Sequence, residues 1–273
     1  RPDWIYEFAD KDIRDRLEPI VDGDKETLLT IDKALERFQS RQSSKDTLNK
    51  AKEEFMSWKH KGWDGLGAFD PNERKIANDL LGFKGHIVFP TSAFDQVLAA
   101  KEDSIILGGV KALNRGMATF CEVDPRMYGA AYIPFNFGED VALKFLRDAI
   151  KDDFSVILVD TIAPEGCKAF THPDYDVVWQ EIQESDITIT LHVGADSGWD
   201  PVPLSFYNND SSVPVHKAGD APRDALAYMG ISYNAELFLA SMIFDGVLER
   251  FPNLRIGVVE LGASWIISWM KHL

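Results

Sequence analysis

Short apolar segments that alternate with amphipathic helical patterns are the feature that most constrains the fold of this chain. The five segments are GHIVFPT (85–91), GAAYIPF (129–135), SVILVDT (155–161), ITITLHV (187–193) and RIGVVEL (255–261). Repeated strand-then-helix units in one direction are typical of a parallel sheet. We therefore predict an α/β fold whose neighbouring strands follow chain order.

The stretches between these segments have the spacing of amphipathic helices. GEDVALKFLRDAIKD (138–152) places its apolar residues largely on one stripe, and PDYDVVWQEIQES (173–185) opens with residues that suit a helix N-terminus. A further helical pattern runs from about Asn234 until just before Pro252. Asp70 and Pro71 predict another helix start, with the aspartate as its cap and the proline in its first turn.

Two segments fall outside this alternation. Residues 24–69 are polar and charged, with apolar residues at near-helical spacing, and we interpret them as a helical insertion in one domain spanning 1–273. Residues 194–233 are rich in Pro, Asp, Ser and Gly and follow the fourth strand directly. Loops of that length in compact domains are often functional, so we predict an active-site loop there.

The composition excludes several classes of partner. The 273 residues carry a formal net charge of −15, with a pI near 4.8, and such a field repels nucleic acids and anionic membranes. The two cysteines are too few for a disulfide framework, and no apolar run is long enough for a membrane span. We expect a cytoplasmic protein that binds a small molecule.

His192 is the first candidate functional residue, because it closes the fourth strand. Thr188, Thr190 and His192 share one face of that strand. In a barrel of parallel strands, a residue at this position emerges at the C-terminal rim, where such barrels keep their chemistry. A metal-ligand role is one interpretation. The other is a structural histidine, since a metal site needs three or four ligands.

Further candidates lie at strand ends or in the long loop. Glu260 ends the fifth strand, where burying a carboxylate without a partner would be costly, so it is either functional or held by a salt bridge to a nearby arginine. Asp160 ends the third strand, and Asp196 and Trp199 begin the loop, where each either contacts substrate or caps local structure. Phe135, at the end of the second strand, either lines an aromatic pocket or belongs to the core.

Three segments resemble the amidohydrolase-2 group of the amidohydrolase superfamily. They are DPNERKIANDLLGFKGHIVFPT (70–91), HPDYDVVWQEIQESDITITLHVG (172–194) and FDGVLERFPNLRIGVVELGASWIISWM (244–270). The resemblance implies a (β/α)8 TIM barrel and a metal-dependent hydrolase or decarboxylase that acts on a small, cyclic or unsaturated carboxylic acid. In that group the metal is held by a first-strand histidine pair, by histidines on the fifth and often the sixth strand, and by an eighth-strand aspartate.

The resemblance assigns roles to individual residues. His192 matches the fifth-strand metal ligand, and Glu260 stands at the sixth-strand position, where many members have histidine. The predicted set is His192 as metal ligand, Glu260 and Asp196 as catalytic residues, and Trp199, Phe135 and Asp160 as substrate-binding residues. Zinc is the first choice of metal because imidazole and carboxylate ligands suit it, with manganese or magnesium as alternatives.

The sequence also departs from the group's pattern. It contains neither a first-strand histidine pair nor an eighth-strand aspartate, and five strands cannot close an eight-stranded barrel. We therefore expect an incomplete barrel with an incomplete metal site, and a homodimer. One alternative function is a non-catalytic barrel that serves as a binding or assembly module. Another is an open doubly wound sheet that binds a nucleotide, although no Gly-rich phosphate loop follows any strand.

Overall fold

The computed structural model of the protein describes residues 5–21, 25–57, 65–193, 206 and 229–273. The chain divides into two compact units: Arg1–Ala131 with Asp152–Phe154, and Tyr132–Lys151 with Ser155–Leu273. The predicted single domain, with its insertion and its long loop, stays a prediction. Across the described ranges, no helix has both the length and the apolar character of a membrane span.

The first unit is mainly helical. Its helices are α1 (Ile5–Phe8), α2 (Lys11–Val21), α3 (Lys25–Ser43), α4 (Lys45–Met56), α5 (Pro71–Leu81), α6 (Thr91–Leu98) and α7 (Asp103–Cys121). Strand β1 (His86–Val88) pairs in parallel with the first part of β2 (Met127–Ile133). Helix α7 contacts α1, α2 and α6 and supplies buried core residues, among them Val110 and Leu113.

Helix α5 begins where the sequence predicts. The Asp70 side chain accepts a hydrogen bond from the Glu73 backbone N–H at 2.9 Å, and Pro71 fills the first helical position. The helix ends at Gly82, whose φ of 69° is in the left-handed region that favours glycine. The predicted cap and helix start are therefore confirmed.

The second unit is an alternation of strands and helices. It contains the 3-10 helices Phe135–Phe137 and Pro173–Tyr175, the strands β3 (Val156–Val159), β4 (Thr188–His192) and β5 (Arg255–Val259), and the helices α8 (Glu139–Lys151), α9 (Asp176–Glu184), α10 (Tyr233–Phe244), α11 (Val247–Arg250) and α12 (Trp265–Met270). β4 pairs in parallel with both β3 and β5. The predicted parallel pairing in chain order is confirmed within each unit.

Strand β4 is buried on both of its faces. Ile189 and Leu191, on one face, are fully buried, and so is Thr190 on the other. The Thr190 hydroxyl is satisfied because it donates to the backbone carbonyl of Ile157 on β3 at 2.6 Å. Burial on both faces is typical of parallel sheets covered by helices.

The predicted single helix from Asn234 to the residue before Pro252 is wrong at one point. The chain breaks it into α10 and α11 at Gly246, which has a φ of 71°. The preceding residue, Asp245, accepts a hydrogen bond from the Thr171 hydroxyl at 2.5 Å, and this tertiary contact lies at the C-terminus of α10. A glycine in the left-handed region ends a helix at low steric cost.

Candidate functional site

His192 is the last residue of β4, and its ring orientation is fixed by a backbone contact. Its Nδ1 lies 2.8 Å from the carbonyl oxygen of Val193. Because a carbonyl only accepts, Nδ1 must carry the hydrogen and donate it. In the neutral ring, Nε2 is then left with its lone pair, which is the form of histidine that binds metals.

Glu260 directly follows β5 and has an unusual backbone conformation. The β4–β5 register places His192 opposite Val259, so Glu260 stands one residue beyond the last paired position. Its φ of 62° lies in the left-handed region, which costs a non-glycine residue roughly 1–2 kcal/mol. Asp153 and Asp186 share this conformation, but they lie in turns that lead into strands, whereas Glu260 lies where a strand ends.

The side chains of His192 and Glu260 meet. His192 Nε2 lies 3.1 Å from Glu260 Oε2. The two residues that the resemblance places at the fifth-strand and sixth-strand positions are therefore in contact at adjacent strand ends. Because Nδ1 donates to Val193, Nε2 of the neutral ring presents a lone pair to Glu260. An ionised carboxylate oxygen also only accepts hydrogen bonds. The contact is favourable when a proton or a bound cation lies between the two atoms.

The pair fits part of a metal-ligand set. Two ligand atoms each about 2.1 Å from one ion are separated by about 3.0 Å at the 90° angle of an octahedral site and by about 3.4 Å at the tetrahedral angle of zinc. The observed 3.1 Å lies between these spacings, closer to the octahedral one, and imidazole nitrogen with carboxylate oxygen suits a divalent transition metal. In the part of the chain that the structure describes, no group of three or more His, Cys, Asp and Glu residues is arranged to hold a metal ion. Even with both His192 and Glu260 as ligands, the described residues would fall short of the three or four ligands that a metal needs.

Glu260 is more open to solvent than the sequence argument assumed. Its side chain is 66% exposed, against 21% for His192. The cost of burying an unpaired carboxylate therefore does not apply to this residue, and that part of the prediction is wrong. An exposed carboxylate beside an ordered imidazole can exchange protons with solvent, which is what an acid or base at the rim needs.

Asp160 lies at the end of β3 and is 1% exposed. The Tyr132 hydroxyl donates to both of its carboxylate oxygens, at 2.8 and 3.0 Å, and the backbone N–H of Asn136 donates to Oδ2 at 3.3 Å. Burial, together with the negative charge of Asp160, raises the pKa of Tyr132 well above its ordinary value. Tyr132 therefore remains a hydrogen-bond donor over the whole physiological pH range.

Phe135 lies in the core of the second unit. It is fully buried and stacks on Trp179, with ring centroids 5.1 Å apart, and on Tyr175 at 5.7 Å. The Tyr175 hydroxyl donates to the Phe135 carbonyl, and the Trp179 indole N–H donates to the carbonyl of Phe170. This is the core alternative that the sequence left open, while the substrate-binding role of Phe135 stays a prediction.

The remaining predicted site residues lie elsewhere or outside the described chain. Asp196 and Trp199, and with them most of the predicted active-site loop, lie outside the described residues. Their catalytic and substrate-binding roles stay predictions, as does substrate binding by Asp160. Sequence reasoning missed Tyr132, which lies inside the predicted second strand. The available signal was a polar tyrosine in an otherwise apolar strand, three residues before the strand's predicted end.

Comparisons with known proteins add evidence on the fold. No family model matches the sequence, and no curated protein matches it. Among solved structures, the chain is similar to an amidohydrolase from Mycobacterium avium subsp. paratuberculosis K-10, with a TM-score of 0.62 and 17% identity over 77% of this chain and 52% of that chain. It is also similar to 2,6-dihydroxybenzoate decarboxylase from Rhizobium, with a TM-score of 0.49 and 19% identity over 68% of this chain and 54% of that chain.

A third similar structure is a 5-carboxyvanillate decarboxylase. It comes from Novosphingobium aromaticivorans DSM 12444, with bound manganese and 3-methoxy-4-hydroxy-5-nitrobenzoic acid, and aligns with a TM-score of 0.55 and 20% identity over 75% of this chain and 53% of that chain. The chain spans about half the length of these solved structures. The resemblance to amidohydrolases and related decarboxylases, inferred from the sequence, is thus confirmed at the level of the fold.

Proposed function

We propose that this chain carries part of the active site of a metal-dependent hydrolase or decarboxylase that acts on a small cyclic or unsaturated carboxylic acid. The observation that carries the proposal is the 3.1 Å contact between His192 and Glu260 at the ends of adjacent parallel strands. Parallel α/β barrels keep their chemistry at that end of the strands. The similar fold of an amidohydrolase and of an aromatic-acid decarboxylase supports the reaction class. The closed (β/α)8 barrel is part of the same proposal.

His192 would hold the metal together with ligands outside the described residues, and Glu260 is in contact with His192. The manganese in the similar 5-carboxyvanillate decarboxylase supports a divalent ion, and zinc remains our first choice on ligand chemistry. When bound, the metal would polarise the substrate carboxylate or lower the pKa of a bound water. The contact from Nδ1 of His192 to Val193 holds the ring so that Nε2 points to Glu260, whatever the metal.

Glu260 is proposed to move the proton. In a decarboxylation, the carbon that loses CO2 must gain a proton, and the solvent-exposed carboxyl of Glu260 can deliver one and be reprotonated from water. In a hydrolysis, the same carboxylate takes a proton from the attacking water and returns it to the leaving group. Both schemes need an ionisable group at the rim that is open to solvent and fixed beside the site. Glu260 is 66% exposed and in contact with His192.

The experiment compares His192→Ala with His272→Ala, since His272 is an exposed histidine outside the site. The purified proteins are loaded with manganese or zinc, analysed for bound metal, and assayed on 2,6-dihydroxybenzoate and 5-carboxyvanillate. We expect His192→Ala to lose metal and turnover while its circular dichroism is retained, and His272→Ala to keep all three. Metal and turnover unchanged in His192→Ala would refute the proposal.

A non-catalytic barrel is the second candidate function. The observation that favours it is the absence, among the described residues, of a metal-binding group of three or more ligands. In that case the wild-type chain would bind no stoichiometric metal and turn over none of the acids. Stoichiometric metal in the wild-type protein would therefore favour the enzyme before any variant is made. The homodimer and the cytoplasmic location stay proposals beside either function.

A further inference from the structure

A second candidate site lies in the first unit and is formed by helices that contain neither His192 nor Glu260. The hairpin of α3 and α4, with Leu66, lines a cavity of about 170 Å3. For comparison, an apolar cavity of about 150 Å3 holds a benzene molecule. The volume therefore admits a compact organic molecule of about one ring.

The charge on the cavity wall opposes the charge of the chain. Three basic side chains line it, from Arg37, Arg41 and Lys50, against one described lining carboxylate, from Glu54, and Arg41 is also paired with the carboxylate of Glu73. Basic side chains therefore outnumber acidic ones here by one, whereas the whole chain has 29 basic and 44 acidic residues. Lys50 is exposed, and it forms no ion pair with any residue that the structure describes.

Arg41 is the fixed element of this wall. Its side chain is 5% exposed, and it forms a side-on fork with Glu73, itself 2% exposed, through Nε to Oε1 at 2.8 Å and Nη2 to Oε2 at 2.9 Å. The fork leaves the two N–H groups of Nη1, which donate to no described residue. A buried guanidinium that lines a cavity and keeps unused donors is suited to bind an anion.

The rest of the wall is suited to the body of such a ligand. Ala51 and Phe55, from α4, and Leu66 line it with apolar side chains, and the hydroxyls of Ser40 and Thr47 lie among them. A free phosphate would make no contact with the apolar side chains, and a neutral ring would make no ion pair with the basic ones. A carboxylate attached to a ring would contact both kinds of side chain.

We propose that this cavity binds a small organic monoanion, a carboxylate on an apolar body of about one ring. Arg41 and Lys50 would take the carboxylate, and Ala51, Phe55 and Leu66 would cover the ring. The site is formed by residues of the first unit, whereas His192 and Glu260 belong to the second. The proposal therefore does not depend on the proposed catalytic function.

The test is calorimetric titration of the full chain with benzoate, with benzamide and inorganic phosphate as separate probes. Lys50→Gln removes the exposed cation, and Ala51→Leu fills the cavity without changing charge. Lys45→Gln is the matched control, because Lys45 is an exposed lysine on the same helix that does not line the cavity. His192→Ala controls for benzoate binding at the strand-end site.

We expect benzoate to bind wild type, Lys45→Gln and His192→Ala alike, about tenfold more weakly to Lys50→Gln, and not measurably to Ala51→Leu. Benzamide and phosphate should each bind at least about tenfold more weakly than benzoate. Equal affinity of wild type and Ala51→Leu would overturn the proposal, as would loss of binding in His192→Ala or equal affinity for benzamide. If Ala51→Leu does not fold, equal affinity in Lys50→Gln and Lys45→Gln overturns it instead.

Discussion

The Tyr132 hydroxyl bridges both carboxylate oxygens of Asp160, at 2.8 and 3.0 Å, from the end of β2 to the end of β3. Both side chains are at most 1% exposed, so this is a hydrogen-bonded carboxylate in the interior. A buried charge needs such partners, because they replace the hydrogen bonds that the carboxylate makes to water in the unfolded chain. Removing a partner leaves an acceptor with no hydrogen bond in its place.

Tyr132→Phe removes the hydroxyl and keeps the ring. We expect it to lower the free energy of unfolding by about 2–3 kcal/mol, since a buried charged acceptor loses its main donor. Tyr128→Phe is the matched control on the same strand, because Tyr128 is exposed, and its effect should stay within about 0.5 kcal/mol. Urea unfolding of both variants measures the difference, and equal midpoints would contradict the prediction.

Glu260→Gln keeps the shape of the side chain and removes its charge and its proton. If Glu260 is the acid or base, turnover should fall by roughly a hundredfold or more while bound metal is retained. Glu249→Gln, at an exposed glutamate on α11, is the control and should be unaffected. Metal analysis accompanies the assay: loss of metal in Glu260→Gln would make the residue a ligand, and full turnover would remove it from the mechanism.

His86 makes the stability of the fold depend on pH. It begins β1, its Nδ1 lies 3.1 Å from Asn78 Oδ1, and its pKa is lowered from 6.5 by burial and, secondarily, by the positive charge of Arg74. The unfolded chain therefore binds this proton more readily than the folded protein. Stability is fully present above pH 6.5 and is lost as the pH falls from 6.5 toward the folded-state pKa.

Urea midpoints measured at several pH values between about 5 and 8 test this dependence, since the histidine titrates in that range. His86→Gln should flatten the curve, and His172→Gln, at an exposed histidine, should leave it unchanged. Asp10 and Asp124, whose pKa values are lowered to about 2 mainly by hydrogen bonds from arginine, act only at lower pH. An unchanged slope in His86→Gln would show that another group is responsible.

Gly129, on β2, has no room for a side chain. A Cβ placed there would lie 2.7 Å from Met117 Cγ, 3.1 Å from Phe154 Cε1 and 3.2 Å from Cys121 Sγ. Gly129→Ala should therefore destabilise the protein by about 1–3 kcal/mol through overpacking. In the double variant with Met117→Ala, the cost of the added methyl should fall, because the nearest neighbour has gone. Strictly additive unfolding free energies would contradict this interpretation.

The strands were predictable because each is a short apolar run between helical patterns, and β4 and β5 agree with their predicted segments within two residues at each end. The meeting of His192 and Glu260 followed from parallel pairing alone, since it brings adjacent strand ends to one edge. The break at Gly246 coincides with a contact from Thr171, far away in the sequence, which the helical pattern does not reveal. The exposure of Glu260 and the Arg41–Glu73 fork likewise depend on tertiary packing, which no local pattern encodes.

The register of the three strands in the second unit also bears on which strand pairing forms first during folding. β3 and β4 pair residues 156 and 188, which are 32 apart, whereas β4 and β5 pair residues 188 and 255, which are 67 apart. Doubling a loop adds only about 0.6 kcal/mol of closure entropy, but long-range pairings form more slowly than local ones. The His192–Glu260 contact therefore forms with the β4–β5 pairing, which is the slower of the two. During synthesis on the ribosome, β4 emerges well before β5. The edge of β4 that pairs with β5 therefore stays open, with His192 at its end, until β5 and Glu260 have been synthesised.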